Sequence, residues 1–299
     1  MKLEKLYLMI VNNLFDGIYF VDMDRNITFW NKAAENITGY KAEEIIGLCC
    51  QDNLLNHIDE DGRALCRLGC PLFTTLIDGR QRKDKVFLQH KDGYRISVQI
   101  NIFPIIEDET IVGAVEIFTP SSPVIFDSTR LSRLWESPLS DDPRRLSDHG
   151  EVESYIAYRL HEFGRFQRGF CVIFANIDAV ESMREQYGIE AVNNLYKSVN
   201  KSIGFNIRPS DYFSFIEGKG FIGVFNINKN YEATLLAEKV RILMTGSEIP
   251  RELGSLSVTA SVGVTVAREN DSIQSIVDRA YDLMCQCNKN NIGSISSDA

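Results

Sequence analysis

Residues 212–223 read "YFSFIEGKGFIG", and this stretch decides the fold of the second half of the chain. Aromatic and apolar residues alternate with small or polar ones on both sides of Glu217-Gly218-Lys219-Gly220. The alternation predicts two short strands, and the glycine-rich middle predicts a hairpin tip between them. Lys219 then stands between two glycines, where the backbone is free to approach a ligand. Working outward, helical and strand-like stretches alternate from residue 151 to the end. The expected helices cover 151–163, "AVNNLYKSVNKSIGF" (191–205), "EATLLAEKVRILMTG" (232–246) and about 272–290; the other strands are "FCVIFANID" (170–178) and "LSVTASVGVTVA" (256–267). That order predicts a mixed α/β domain with helices packed on a sheet. Cys285 and Cys287 fall on the last helix, two apart and so facing different ways, which fits packing better than a metal site. The closing Ser-Asp-Ala reads as a frayed end.

The first half has a different rhythm. Leu3, Leu6, Ile10 and Leu14 suit an amphipathic helix, and "GIYFVD" and "NITFWN" read as strands joined by a polar turn. "AAENITGYKAEEIIG" reads as short helical pieces. "KVFLQH" and "YRISVQINIF" form a hairpin over Lys-Asp-Gly, and "TIVGAVEIF" is a fifth strand. Five strands with helices inserted after the second predict a small α+β sensor fold over residues 1–119. Residues 120–150 hold four prolines and many serines and read as a linker, with room for a short helix around Leu131, Leu134 and Trp135.

Bulk composition narrows the function classes. The 299 residues suffice for two domains. With 44% hydrophobic and 24% charged residues the chain has the make-up of a water-soluble globular protein. A net charge of −9 argues against a general nucleic-acid binder. The apolar run "LYLMIV" is too short to span a bilayer and lacks the form of a signal peptide, so the expected location is cytoplasmic and away from the membrane. Seven cysteines in such a compartment are core residues, metal ligands or redox sensors rather than structural disulfides.

"GLCCQDNLLNHIDEDGRALCRLGCPL" (47–72) carries a Cys50-x6-His57-x8-Cys66-x3-Cys70 set. Three thiolates and one imidazole make a complete tetrahedral set for zinc, with donor types that also suit iron. Cys49 can stand in for Cys50. The alternative is that small buried cysteines fill a core and His57 caps a turn.

The run "LFDGIYFVDMDRNITFWNKAAENITGYKAEEIIG" (14–47) resembles PAS sensor domains, through Asp16-Gly17, Trp30-Asn31 and Thr38-Gly39-Tyr40 ahead of Ile46-Gly47. Such domains bind haem, flavin, small acids, metals or nothing, so the fold does not name the ligand. Cys50 falls three residues after Gly47, as the photoreactive cysteine of flavin-binding members does, but their flanking Asn, Arg and Gln are missing here. PAS domains often pair through an N-terminal helix, which implies a homodimer through residues 2–14.

In the second half, "FCVIFANIDAVESMREQYG", the hairpin, "AEKVR", "TASVGVTVA" and "VDRAYDLMCQCNKNN" resemble, in order and spacing, the GGDEF domain of diguanylate cyclases. The resemblance implies a nucleotidyl-cyclase-like α/β fold and a reaction that joins two GTP molecules into cyclic di-GMP with divalent metal. Carboxylates must hold the metal. Here the family's first metal Asp is replaced by Asn176, although Asp178 survives, and the acidic third position of the signature is Lys219. The family's guanine-contacting Asn and Asp fall at Arg184 and Asn193, and its phosphate-binding Lys at Asn288. Its "LTGLPNR" loop is "DPRRLSDHG" after Asp141. The departures imply a degenerate domain with no catalytic residues and no catalytic magnesium; the alternative is residual cyclase or GTP-binding activity. Upstream, Arg208 and Asp211 match the family's Arg-x-x-Asp inhibitory site and Lys239 its accompanying basic residue, which implies cyclic di-GMP as a ligand. Arg-Pro-Ser-Asp is equally a good turn sequence. The expected function is that of a bacterial signalling protein, a cyclic di-GMP receptor or a regulatory scaffold for a protein partner.

Overall fold

The computed structural model describes residues 3–52, 54–66, 69–121, 149–208, 210–216, 219–247, 258–290 and 292–299. Contacts divide the chain into two units, up to residue 124 and from 125 on. The first begins with α1 (Leu3–Asn12), β1 (Gly17–Asp22) and β2 (Ile27–Trp30). Then come α2 (Lys32–Thr38), α3 (Ala42–Ile45) and α4 (Pro71–Asp78), followed by β3 (Arg82–Gln89), β4 (Arg95–Glu107) and β5 (Thr110–Pro120). The strands form one antiparallel sheet in the order β2-β1-β5-β4-β3. The helices inserted between β2 and β3 include α2, which packs on β1, and α4, which packs on β4 and β5.

Asn31, fully buried, ties this unit together. Its Oδ1 accepts from the backbone N–H of Ala34 at 2.8 Å, capping α2, and from that of Ile18 at 2.9 Å. Its Nδ2 donates to the carbonyls of Val11 at 3.0 Å and Asp16 at 2.9 Å. One amide therefore uses its full set of partners to join the end of α1, the start of β1 and α2. Closing the chain through the sheet, β5 lies between β1 and β4 and sets Glu116 opposite Tyr19.

The second unit runs α5 (His149–Phe166), β6 (Phe170–Ile177), α6 (Val180–Gly204), β7 (Tyr212–Ile216) and β8 (Gly220–Asn226). It continues with α7 (Tyr231–Thr245), β9 (Ala260–Val266), α8 (Ile273–Asn290) and β10 (Ile295–Ser297). The sheet order is β10-β9-β6-β8-β7, with β10 parallel to β9 and every other pair antiparallel. Strands β6 and β9 are near-continuous apolar runs because both faces of the sheet are covered. Phe170, Val172 and Phe174 pack with Ile156 of α5 and with Ile276, Ala280 and Met284 of α8.

The hairpin pairs Ile216 with Gly220 and Tyr212 with Val224, as the alternation predicts. Two expectations change. The helix expected over 191–205 starts at Val180, with a break at Gly188, whose φ of 82° is non-helical. Its first turns bury only Met183, so they carry too weak a period to read. The chain end is ordered: Ile295–Ser297 pairs with the free edge of β9, and Asp298 meets Arg268 at 2.5 Å and Arg279 at 3.4 Å. The expected linker lies almost wholly outside the described residues, including Leu131, Leu134, Trp135 and Asp141. Among the described residues no helix is long and apolar enough to cross a membrane.

Candidate functional site

Where β6 ends, the chain places Asn176 and Asp178 beside the start of β8. Gly220 makes that approach possible: its φ is +100°, and a Cβ there would stand 2.7 Å from the carbonyl oxygen of Ala175. Asn176, Asp178, Glu181, Tyr196, Phe215 and Lys219 line a cleft of about 350 Å³. Asp178 accepts from the Ser261 hydroxyl at 2.8 Å through Oδ1, while its Oδ2 is buried without a partner. Glu217 and Gly218, at the hairpin tip, lie outside the described residues.

The cleft offers a hard cation two carboxylates, Asp178 and Glu181, in place of the fuller acidic set that the family resemblance implies. Hard cations take carboxylate oxygens, but Asn176 offers a neutral amide and Lys219 an ammonium that repels the ion. Nor does the cleft suit a bare triphosphate, since Asp178 and Glu181 together outweigh the one positive charge of Lys219 among its lining residues. Arg184 and Asn193 both sit on α6, the first exposed and the second half-buried, and neither lines the cleft. Asn288 belongs to α8, but its side chain is outside the described set.

Arg208, Asp211 and Lys239 come together around one turn. Asp211 donates its N–H to the Arg208 carbonyl at 2.9 Å, and its Oδ2 accepts the N–H of Arg208 at 3.1 Å. Its Oδ1 accepts from both the N–H and the side-chain amide of Asn226, each at 3.2 Å. Three of the roughly four acceptor sites of the carboxylate are thus used, one closing the turn and two holding it to the end of β8. The Lys239 ammonium donates to the Asn206 carbonyl at 2.5 Å. Tyr155 of α5 donates its hydroxyl to the Ser210 carbonyl and stacks on Tyr212 at 5.5 Å. Arg208 is exposed. Pro209 is not among the described residues.

In the first unit, Cys50, His57, Cys66 and Cys70 all line one cavity of about 20 Å³, room for about one water. Cys49 does not line it; its thiol points to the Asp24 carbonyl at 3.7 Å. Tyr19 of β1, Glu116 of β5, Arg25 and Gln51 also line it, and the Tyr19 hydroxyl hydrogen-bonds the Glu116 carboxyl. Glu116 is missed by reading motifs, yet strand alternation turns it inward with Ala114 and Phe118. His57 Nε2 stands 3.7 Å from Glu116 Oε1, and both atoms are buried without a hydrogen-bond partner. Among the described residues no three His, Cys, Asp or Glu side chains yet converge as a set that could hold a metal ion.

Burial sets the protonation of this chamber. It pushes the Glu116 carboxyl up to about 8 and the Cys66 thiol up to about 11, and it raises Cys50 and Cys70 as well. It lowers His57 to about 4, helped by the Arg95 guanidinium. At neutral pH the carboxyl, imidazole and thiol groups of the chamber are therefore uncharged. From about pH 6.5 to 8 the folded chain keeps a proton on Glu116 that the unfolded chain has released, so stability falls as pH rises. Between about 4.5 and 6.5 the depressed His57 acts the other way and offsets that fall. In chelator-treated protein carrying Trp135→Phe, the urea midpoint read from Trp30 should drop between pH 6.5 and 8. Glu116→Gln should flatten that drop; an equal drop in the variant would assign it to another group.

Comparison with known proteins matches residues 16–119 to the PAS domain and residues 141–293 to the diguanylate cyclase GGDEF domain. The chain is 21% identical over 293 residues to the probable diguanylate cyclase DgcE of Escherichia coli, covering 96% of this chain and 25% of that protein. It is 25% identical over 134 residues to diguanylate cyclase A of Treponema denticola, covering 44% of this chain and 36% of the relative. It therefore spans about a quarter and about a third of the lengths of these curated relatives. Among solved structures, Pseudomonas aeruginosa diguanylate cyclase SiaD, in complex with its activator SiaC, superposes with a TM-score of 0.50 at 17% identity. That match covers 57% of this chain and 65% of SiaD, and shows a shared fold.

Proposed function

The chain belongs to the diguanylate cyclase GGDEF domain family, with a PAS domain ahead of it, and from that premise we propose a signalling protein that binds cyclic di-GMP without making it. The observation that carries this reading is Lys219 in the cleft where the family's carboxylate would stand, together with the Arg208–Asp211 pair at the other end of β8. The PAS domain supplies the input, and the second domain converts it into nucleotide-dependent contact with a protein partner.

The turn has the chemistry for such a ligand. An exposed Arg fork can pair bidentately with a phosphate or with the acceptor edge of guanine. Asp211, already fixed by the N–H groups of Arg208 and Asn226, keeps one acceptor site for a base N–H. Lys239 has a more structural part, since it holds the Asn206 carbonyl at the end of α6. It supports the turn from behind, and its contribution to binding is indirect. Tyr155 holds the same turn from α5, the first described helix after the linker.

Calorimetric titration of the full chain with cyclic di-GMP tests the receptor reading. Arg208→Ala should weaken binding on the order of 10–150-fold, the worth of one charge-assisted hydrogen-bonding group of about 1.5–3 kcal/mol. Lys239→Ala should cost less than Arg208→Ala. No heat from wild-type protein at high micromolar ligand would leave a scaffold that docks its partner without nucleotide.

A further inference from the structure

We propose that the chamber inside the PAS domain is a site for a single thiophilic divalent cation, zinc by its donor set, held by Cys50, Cys66, Cys70 and His57 with Glu116 beside it. This concerns the first domain and is independent of cyclic di-GMP binding in the second.

The placement of the donors carries it. Cys50 lies in the loop after α3, His57 and Cys66 flank the Ile58–Ala64 bridge, and Cys70 is the N-cap residue of α4. From much farther along the chain, β5 brings Glu116 to the same cavity. Cysteines that merely filled a core would close the space between them, because protein interiors pack without voids. These share the lining of a gap of about 20 Å³, large enough for one water or one ion.

The two orphaned atoms point the same way. An unpartnered buried polar group costs about 1–3 kcal/mol, and His57 Nε2 and Glu116 Oε1 form such a pair on opposite sides of 3.7 Å. Leu55, Leu65, Pro71, Leu72, Val86 and Ile100 make up the apolar part of the lining, but a dry void has apolar groups alone, and this one also carries thiol, imidazole, carboxyl and phenol. All of these except the phenol are common cation donors. The one cationic side chain in the lining, Arg25, hydrogen-bonds Gln51 and lies 4.7 Å over the Phe73 ring.

Three sulfurs and one nitrogen form a tetrahedral set that selects zinc or ferrous iron over magnesium and calcium. The donors surround the gap, although no three of them converge on one point among the described residues. Bringing a cysteine sulfur onto an ion takes rotation about one side-chain bond. Cys50 and Cys70 are both half-buried rather than locked in the core. Because Glu116 Oε1 stands beside Nε2, an ion on His57 would take Nδ1 and leave Nε2–H for the carboxylate, a common outer-sphere partner of metal-bound imidazole, which would satisfy both orphaned atoms.

The test loads the full chain with zinc or, without oxygen, with ferrous iron, and then exchanges it into metal-free buffer. Elemental analysis should find about one zinc ion per chain, and cobalt loading should give the thiolate-to-metal absorption of a tetrahedral site. Cys66→Ser and Cys70→Ser should each lose affinity beyond the ~10–100-fold expected for Glu116→Gln. Cys49→Ser and Cys171→Ser should keep wild-type affinity. Because a cysteine variant can misfold, alkylation of the wild-type protein supplies a second measurement, in which zinc should shield three thiols. Iron retained in place of zinc would overturn the choice of metal. Two results would overturn the site itself. One is a chain that retains no ion and shows the same alkylation with and without zinc, meaning that the chamber holds water. The other is an ion that survives the Cys66→Ser/Cys70→Ser double substitution, meaning that it binds elsewhere.

Discussion

Incubated with GTP and magnesium, the full chain is expected to return the nucleotide unchanged. A bound divalent ion contributes several kcal/mol to phosphoryl transfer by stabilising the charge that develops in the transition state. Each ~1.4 kcal/mol is tenfold in rate, so losing one ion should cost on the order of 10³-fold or more. Here the amide of Asn176 and the ammonium of Lys219 stand where the family would place carboxylates, while Asp178 spends one oxygen on the Ser261 hydroxyl. Metal-free chemistry fares no better, because Asp178 and Glu181 leave the cleft lining with excess negative charge toward a triphosphate. Chromatography of the products reads the outcome directly. Cyclic di-GMP accumulating at a rate typical of enzymes, about 1 per second or faster, would refute inactivity. The Asn176→Asp/Lys219→Asp variant supplies a positive control for the site, since it should bind manganese more tightly than wild type, detectable by the loss of the free-ion resonance.

Gly263→Ala should be the most damaging single substitution in the second domain. Gly263 is the middle residue of β9, where α8 crosses the sheet. A Cβ on it would stand 2.2 Å from the Met284 nitrogen, 2.3 Å from the Ala280 carbonyl oxygen and 2.9 Å from the Leu283 carbonyl carbon. All three are backbone atoms of α8, so no side chain can rotate away and the whole helix must lift. Lifting it pulls Ile276, Ala280 and Met284 from their contacts with Phe170, Val172 and Phe174. Overpacking a core typically costs about 1–3 kcal/mol, and the rigid obstacle puts this case at or above the top of that range. A urea melt should show the second-domain transition displaced or lost while the first-domain transition keeps its midpoint. A shift below about 0.5 kcal/mol, the range of an ordinary surface change, would mean that α8 is not held against β9 as described.

Much of this protein was legible in one dimension because its signals are local. Period-two alternation in "YFSFI" and "GFIGVFN" placed the hairpin, and Asp92-Gly93 marked the turn between β3 and β4. Asn31 follows Trp30 at the mouth of a helix, where a side-chain amide caps it. The first turns of α6 were not legible, since an exposed helix with one buried residue shows no period. The last strand was missed because three residues pair only when an edge is waiting for them, and that edge, β9, lies more than 25 residues back in the chain.

The functional places divide in the same way. Residue types are a property of the sequence, so Lys219 at a carboxylate position, the Arg208–Asp211 spacing and the three-cysteine, one-histidine set could all be named before any fold was known. Whether those groups share a space, and in what state, depends on long-range closure and burial. Only the tertiary structure turned Cys50 rather than Cys49 into the chamber, brought Glu116 to His57, and spent Asp211 and Lys239 on holding a turn. Only burial, which penalises charge, pushed that carboxyl and imidazole toward their neutral forms.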